Sequence, residues 1–162
     1  MALRQVLHFP NPNLRLKAKA VKKIDHSIKA LVDDMFETMY EEQGIGLAAT
    51  QIDVQLQVIT MDVMLDKKNP YVFINPVITE RNGTRIEEEG CLSVPGIAEK
   101  VKRADSLIVK ALDLEGKEFE LKADSLLATC IQHEMDHLEG ILFIDRLSRL
   151  KKYWITKKFK KS

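Results

Sequence analysis

The run His133, Glu134, Met135, Asp136, His137 limits what this chain can fold into more than any other feature. It reads H-E-x-x-H. On a helix, two histidines four residues apart stand one turn from each other on one face, where both imidazoles can hold a single metal ion. Glu134, one position round, is not placed to join them as a ligand but can reach metal-bound water as a general base. The flanking sequence predicts the helix this needs, from about Ser125 to Leu138. Leu127, Ile131, Met135 and Leu138 form an apolar stripe, Asp124 is placed to cap the start, and Gly140 to end it. The fold therefore has to bury a helix that carries polar cargo.

What surrounds that helix follows from period and punctuation. Ile28, Leu31, Val32, Met35, Phe36 and Met39 recur at helical spacing, with Ser27 as the expected N-cap and Gly44 near the end. Leu56 to Thr60, Tyr71 to Ile74 and Ser106 to Val109 read as strands. Asp113, Leu114, Glu115 and Gly116 interrupt two alternating runs between Leu107 and Leu121, which predicts an antiparallel hairpin. Ser148 to Phe159 reads as an amphipathic helix with Leu147, Leu150 and Trp154 on its inward side. No repeat or Pro/Gly/Ser-rich linker divides the 162 residues. The expectation is one domain over 1–162 of α+β class: antiparallel strands packed around a central helix bearing the two histidines, with an N-terminal and a C-terminal helix.

No apolar stretch approaches the roughly 20 residues of a membrane span, and Met1 to Pro12 lacks a basic and an apolar signal region. A cytoplasmic protein with no membrane segment is expected, in which Cys91 and Cys130 are free thiols or metal ligands rather than a disulfide. The formal charge of +1 hides an asymmetry. Eight of the 25 basic residues and none of the 24 acidic ones lie from Arg146 onward, so a body of −7 carries a basic arm of +8 over about 146–162. Such an arm seeks a polyanion such as RNA or an anionic membrane surface, unless it is simply a solvated helix face.

A catalytic metal site needs a third protein ligand and an open position for water. Cys91, Cys130 and Glu139 are the candidates. Cys130 lies seven residues before His137, roughly 10 Å along the axis at 1.5 Å per residue, which suits core or pocket wall better than a ligand. Cys91 follows Gly90 in Glu89-Gly90-Cys91-Leu92-Ser93, where its thiolate can approach from another element. A third cluster, Gly44 to Gln51, lets a chain come close to a ligand and offers the Gln51 amide to an oxyanion; read alone, it is a helix stop followed by tight packing.

Taken in order, Gly44-Ile45-Gly46-Leu47-Ala48-Ala49-Thr50-Gln51, Glu89 to Ser93, and Gln132 to Leu138 resemble the three motifs of the peptide deformylases. The resemblance extends from Pro10-Asn11-Pro12 to Phe143. It implies that Cys91, His133 and His137 bind one divalent metal with water as fourth ligand, Fe(II) natively and Zn, Ni or Co in exchange. It further implies removal of formate from the formyl-Met end of nascent chains. Metal-bound water would attack the formyl carbon, with Glu134 as general base and then acid, and Gln51 and the Leu92 N–H as oxyanion donors. Ile45, Leu126, Thr129 and Cys130, with Gly44 beside them, would line the methionine pocket, and Gly46 would pair with the substrate backbone. The family docks at the ribosomal exit through the C-terminal region, which suits a basic arm; a monomer is expected, and the absence of a transit-type leader suggests a bacterial enzyme. Ala98 stands where some members carry an arginine near the substrate, so binding beyond methionine is expected to differ.

Two other classes fit parts of the pattern. A metallopeptidase would take Glu139 or another carboxylate as third ligand, and an RNA- or ribosome-binding module would use the metal structurally, which normally requires four protein ligands.

Overall fold

The computed structural model describes residues 2–160, so Lys161 of the basic run lies outside the described residues. The first long element is α1 (His26–Glu41), capped by Asp25 instead of Ser27. The Asp25 carboxylate accepts the backbone N–H of Ser27 at 3.0 Å and also its hydroxyl, which draws Ser27 into the first turn. The expected stripe of Ile28, Leu31, Val32, Met35 and Met39 is buried.

The strands are β1 (Gly46–Ala48), β2 (Val58–Met61), β3 (Tyr71–Asn82), β4 (Arg85–Cys91), β5 (Val94–Arg103), β6 (Ser106–Leu112) and β7 (Glu118–Asp124). All pairings between them are antiparallel: one sheet runs β1-β2-β3-β6-β7, and β4 and β5 form a separate hairpin. The β6–β7 turn falls at the expected Asp113 to Gly116, where the Asp113 carboxylate accepts the N–H of Glu115 and Lys117. The second helix of the chain, α2 (Ser125–Leu138), keeps Asp124 at the cap position, although its side chain makes no capping hydrogen bond.

Burial explains where α2 sits. Leu47, Val58 and Ile74 pack with Met35 and Met39 of α1 on one face of the sheet. Ala48, Ile59, Met61 and Phe73 pack with Ala128, Ile131 and Leu138 of α2 on the other. β2 is buried along its whole length because both faces are covered. A third cluster joins Phe9 and Leu14 to Val94 and Val101 of the hairpin and to Phe143, Ile144 and Ile155. Between the sheet and the hairpin, α2 is central, and the α+β reading holds.

The last helix, α3 (Arg149–Lys160), departs from expectation. Ile155 is the residue it buries, and Phe159 meets the Phe9 ring edge-on at 5.7 Å. Leu150 and Trp154 are 65% and 57% exposed, so the inward side is not the one that the Leu147, Leu150, Trp154 spacing suggested. Leu147 precedes the helix, and it is the i, i+4 pair Ile155 and Phe159 that reaches the third cluster.

A polar joint holds the turn after α2 to both ends of the chain. The Asp145 carboxylate accepts from both terminal nitrogens of Arg15 and from the Leu142 N–H, and pairs with Lys152 at 3.0 Å. Burial pushes this carboxyl upward, but the bonds from Arg15, Leu142 and Lys152 hold it below the ordinary value. A carboxylate whose folded pKa is depressed stabilises the fold above its unfolded pKa and loses that contribution as pH falls through the folded value. Asp145→Ala is therefore expected to cost about 2 kcal/mol at pH 7. Urea denaturation at pH 7 and near pH 3 should show the difference between variant and parent shrinking at the lower pH.

Candidate metal centre

Three donors meet from two elements. Cys91 ends β4 where the hairpin register breaks: Gly90 pairs with Ala98, but Cys91 pairs with Val94, leaving Leu92 and Ser93 as the turn. His133 and His137 come from α2, one turn apart as expected. The Cys91 sulfur and the two ring nitrogens all lie within 4.8 Å of one another, and Cys91 Sγ is 3.3 Å from His137 Nε2. Metal bonds of 2.0–2.3 Å to a tetrahedral centre require donors about 3.3–3.8 Å apart, so the set fits one ion and leaves a fourth position open. His133 Nδ1 lies 2.9 Å from Glu89 Oε1; donation of N–H there directs Nε2 into the cluster.

Electrostatics point the same way. Burial and the charges of His133, Arg103 and Arg15 push His137 well below the ordinary imidazole range. Burial lowers His133 too, but its hydrogen bonds to Cys91 and Glu89 outweigh that and raise it well above. Both shifts arise because these donors are buried close together, an arrangement that a bound cation satisfies. Burial, with the charges of Glu134 and Glu89, pushes the Cys130 thiol well up, which keeps it protonated and unsuited to ligation. Glu139 is exposed and pairs with Lys17 at 3.3 Å. The structure brings Cys91 into the cluster and leaves both alternatives outside it.

The donors face a cleft of about 950 Å³. Gly44, Ile45, Gly46 and Gln51 line it from the β1 side, Cys91 and Leu92 from the hairpin, and Leu126, Thr129, Cys130, His133 and Glu134 from α2. Of the three donors, His137 stands just behind this wall, and Glu139 lies on the opposite side of α2. Both glycines of the first motif stand close to their neighbours, Gly46 against buried side chains and Gly44 against the movable end of Leu92. A Cβ on Gly46 would sit 2.7 Å from Glu134 Oε2 and 2.9 Å from Cys130 Sγ, and one on Gly44 would sit 2.7 Å from Leu92 Cδ1. Gln51 is buried and held at both ends of its amide: Oε1 accepts the Ala48 N–H at 2.9 Å, and Nε2 donates to Ser93 Oγ at 3.1 Å, 3.6 Å from Cys91 Sγ. Ala98 is exposed on the rim.

Glu134 is buried, and its Oε1 has no hydrogen-bond partner among the described residues. Burial raises it to about 7, with the Glu89 charge adding to the rise and His133 opposing it. A carboxyl poised there takes up and gives back a proton at neutral pH.

The polypeptide deformylase family model matches residues 3–153. This chain belongs to the peptide deformylase family. The peptide deformylase of Neisseria gonorrhoeae is 55% identical to it over 161 residues, covering 99% of this chain and 96% of the relative. That of Nitrosococcus oceani is also 55% identical, with the same coverage. Among solved structures, a peptide deformylase from Legionella pneumophila superposes with a TM-score of 0.94 at 47% identity, covering 99% and 96% of the two chains. The Ehrlichia chaffeensis enzyme in complex with actinonin gives 0.93 at 39%, covering 99% and 98%. Peptide deformylases are metal-dependent hydrolases that remove N-formyl groups from nascent peptides. No helix among the described residues is long and apolar enough to cross a membrane.

A network of buried charges with no sequence signature lies behind the three donors. Arg103 grips Glu89 with two bonds of 2.9 Å and Asp136 with one of 2.6 Å, and Asp136 in turn pairs with Arg146 at 2.8 Å. An unbroken polar chain therefore runs from His133 to the start of the basic arm. The one signal available was the charge at Glu89, Arg103 and Asp136 itself, and charge in a sequence does not reveal burial.

Proposed function

We propose that this chain hydrolyses the N-formyl group from the N-terminal formyl-Met of newly synthesised polypeptides and releases formate. The observation that carries this reading is the convergence of Cys91, His133 and His137 at a cleft whose wall carries Cys91, His133 and buried Glu134. One divalent ion held by those three residues, Fe(II) in our reading with Zn, Ni or Co able to replace it, supplies Lewis acidity toward the formyl oxygen and the attacking water. Glu134 takes the proton from that water and returns it to the leaving amine. Gln51 Nε2 and the Leu92 N–H hold the developing oxyanion; the fixed amide of Gln51 supports its part because a preorganised donor costs no reorientation during the reaction. The Gly46 backbone pairs with the extended substrate, a role supported by the absence of room for a side chain there. Gly44, Ile45, Leu126, Thr129 and Cys130 receive the methionine side chain.

The working setting in this reading is cytoplasmic, as a single-domain monomer whose basic C-terminal helix faces the ribosome near the exit tunnel. Six exposed or half-exposed cations on α3 support an RNA-facing arm, as do Tyr153 and Trp154, each 57% exposed with Lys157 over its ring. A purely structural metal is disfavoured because three protein donors leave its site open.

The test is formate release from a formyl-Met tripeptide by anaerobically purified protein loaded with Fe(II) or Ni(II), beside an acetylated control. Release from the formyl peptide alone is expected. Cys91→Ser is expected to bind the metal at least 10-fold more weakly. Full metal loading without formate would overturn the substrate, and undiminished affinity in Cys91→Ser would overturn the ligand set.

A further inference from the structure

Behind α2, on the side away from the cleft, lies a second groove of about 890 Å³. Its walls are the end of β3, the end of β5, the outer face of α2, and Arg146. The Glu89–Arg103 ion pair forms the partition: Glu89 lines the front cleft and Arg103 the back groove.

The charges of this groove do not cancel. Both oxygens of Asp136 are taken by Arg103 and Arg146, and Glu139 is paired with Lys17. Arg81 from β3 and Lys102 from β5 line the groove, are exposed, and have no carboxylate within ion-pair distance among the described residues. Arg146 uses Nε and Nη2 on Asp136 and has Nη1 to spare. Three cationic groups from three separate elements thus face one concave space, with Val77 and Met135 supplying apolar surface.

We propose that this back groove binds the phosphate backbone of single-stranded RNA, as an inward continuation of the basic arm. Three observations select this occupant. Arg146 both lines the groove and opens the run of eight cations, three residues before α3 begins, so one polyanion can follow both. The space is many times larger than a single phosphate. The exposed Tyr153 and Trp154 rings, with Lys157 5.3 Å from the Trp154 ring centre, add the mixture of stacking faces and cations on which single strands bind. A flat anionic membrane can lie against α3 but does not enter a groove; a flexible strand does. The proposal builds on the RNA-facing reading of the arm and is independent of the hydrolytic one.

The test is titration of metal-loaded full-length protein with an eight-nucleotide oligouridylate, followed by anisotropy over a range of salt. Arg81→Ala/Lys102→Ala is expected to weaken binding roughly 5- to 10-fold and to reduce the slope of log affinity against log salt by about 1.4, some 0.7 per lost phosphate contact. Formate release from a short peptide should be unchanged in this variant. Lys157→Glu/Lys158→Glu tests the arm separately. Weakening by the groove variant alone supports the groove and removes the arm, and weakening by the arm variant alone does the reverse. Displacement of the RNA by inorganic phosphate at matched phosphate concentration would replace the proposal with a small-anion site. Equal loss by the groove variant of binding to phosphatidylglycerol vesicles would reduce it to general charge attraction, and undiminished RNA binding would end it.

Discussion

Glu134→Gln is expected to lower kcat/KM for a formyl-Met tripeptide by about 10²–10⁴-fold while leaving metal content unchanged. The substitution keeps the shape of the side chain and removes only its capacity to accept a proton. Shape matters here because Glu134 is buried and packs closely against Gly46 and Cys130. A smaller residue would open a cavity, and its loss of activity would mix chemistry with packing. Proton capacity matters because burial and Glu89 raise the carboxyl to about 7, so it exchanges a proton with little bias near neutrality. The side chain is not among the three donors that converge, Cys91, His133 and His137. The two measurements therefore separate. Loss of activity at full metal occupancy identifies Glu134 as the proton carrier, and activity within tenfold of the parent would remove it from that role.

How much of this was legible in the sequence depended on whether burial there was apolar. α1, α2 and the β6–β7 hairpin carry their cores as periodic hydrophobic residues, and each was placed closely. The β4–β5 hairpin carries no strand signal of that kind. Its only buried residue between Arg85 and Cys91 is Glu89, so the inward position is marked by a carboxylate, and hydrophobic alternation has nothing to detect. β3 ran eight residues past its expected end for a similar reason: beyond Ile74 it is largely exposed and held by pairing to β6. In α3 two residues a sequence would send inward, Leu150 and Trp154, are outside, because what lies beneath the helix is fixed by Phe9 and the turn after α2, far away in the chain. That His133 and His137 stand together on one helix is legible in the sequence because a helix fixes their spacing locally. That Cys91 completes the set required the family motifs, since the spacing of residues 46 apart is set by the hairpin and carries no local signature.

Arg103→Met is expected to destabilise the protein by about 3–5 kcal/mol and to weaken metal binding by about 10–100-fold. Both follow from its place between two carboxylates. Glu89 and Arg103 have side chains only 5% exposed, and the guanidinium donates to both carboxylate oxygens, Nε to Oε2 and Nη2 to the Oε1 that also meets His133. In the parent, burial raises the Glu89 carboxyl, but His133 and Arg103 more than reverse that and hold it below the ordinary range. Removing Arg103 leaves burial opposed by His133 alone. The variant's deficit should therefore narrow as pH falls, because protonating Glu89 relieves an unpaired buried charge. The second substitution that discriminates is Glu89→Gln in the Arg103→Met background. If the cost is an orphaned charge, stability measured by urea denaturation should largely return, because the charged pair is gone rather than halved. Metal affinity should not return with it, because a glutamine lacks the negative charge that makes Glu89 a strong acceptor for the His133 Nδ1–H and raises the basicity of Nε2. Recovery of both would make Arg103 a packing residue; recovery of stability alone would show that it serves the metal centre through Glu89.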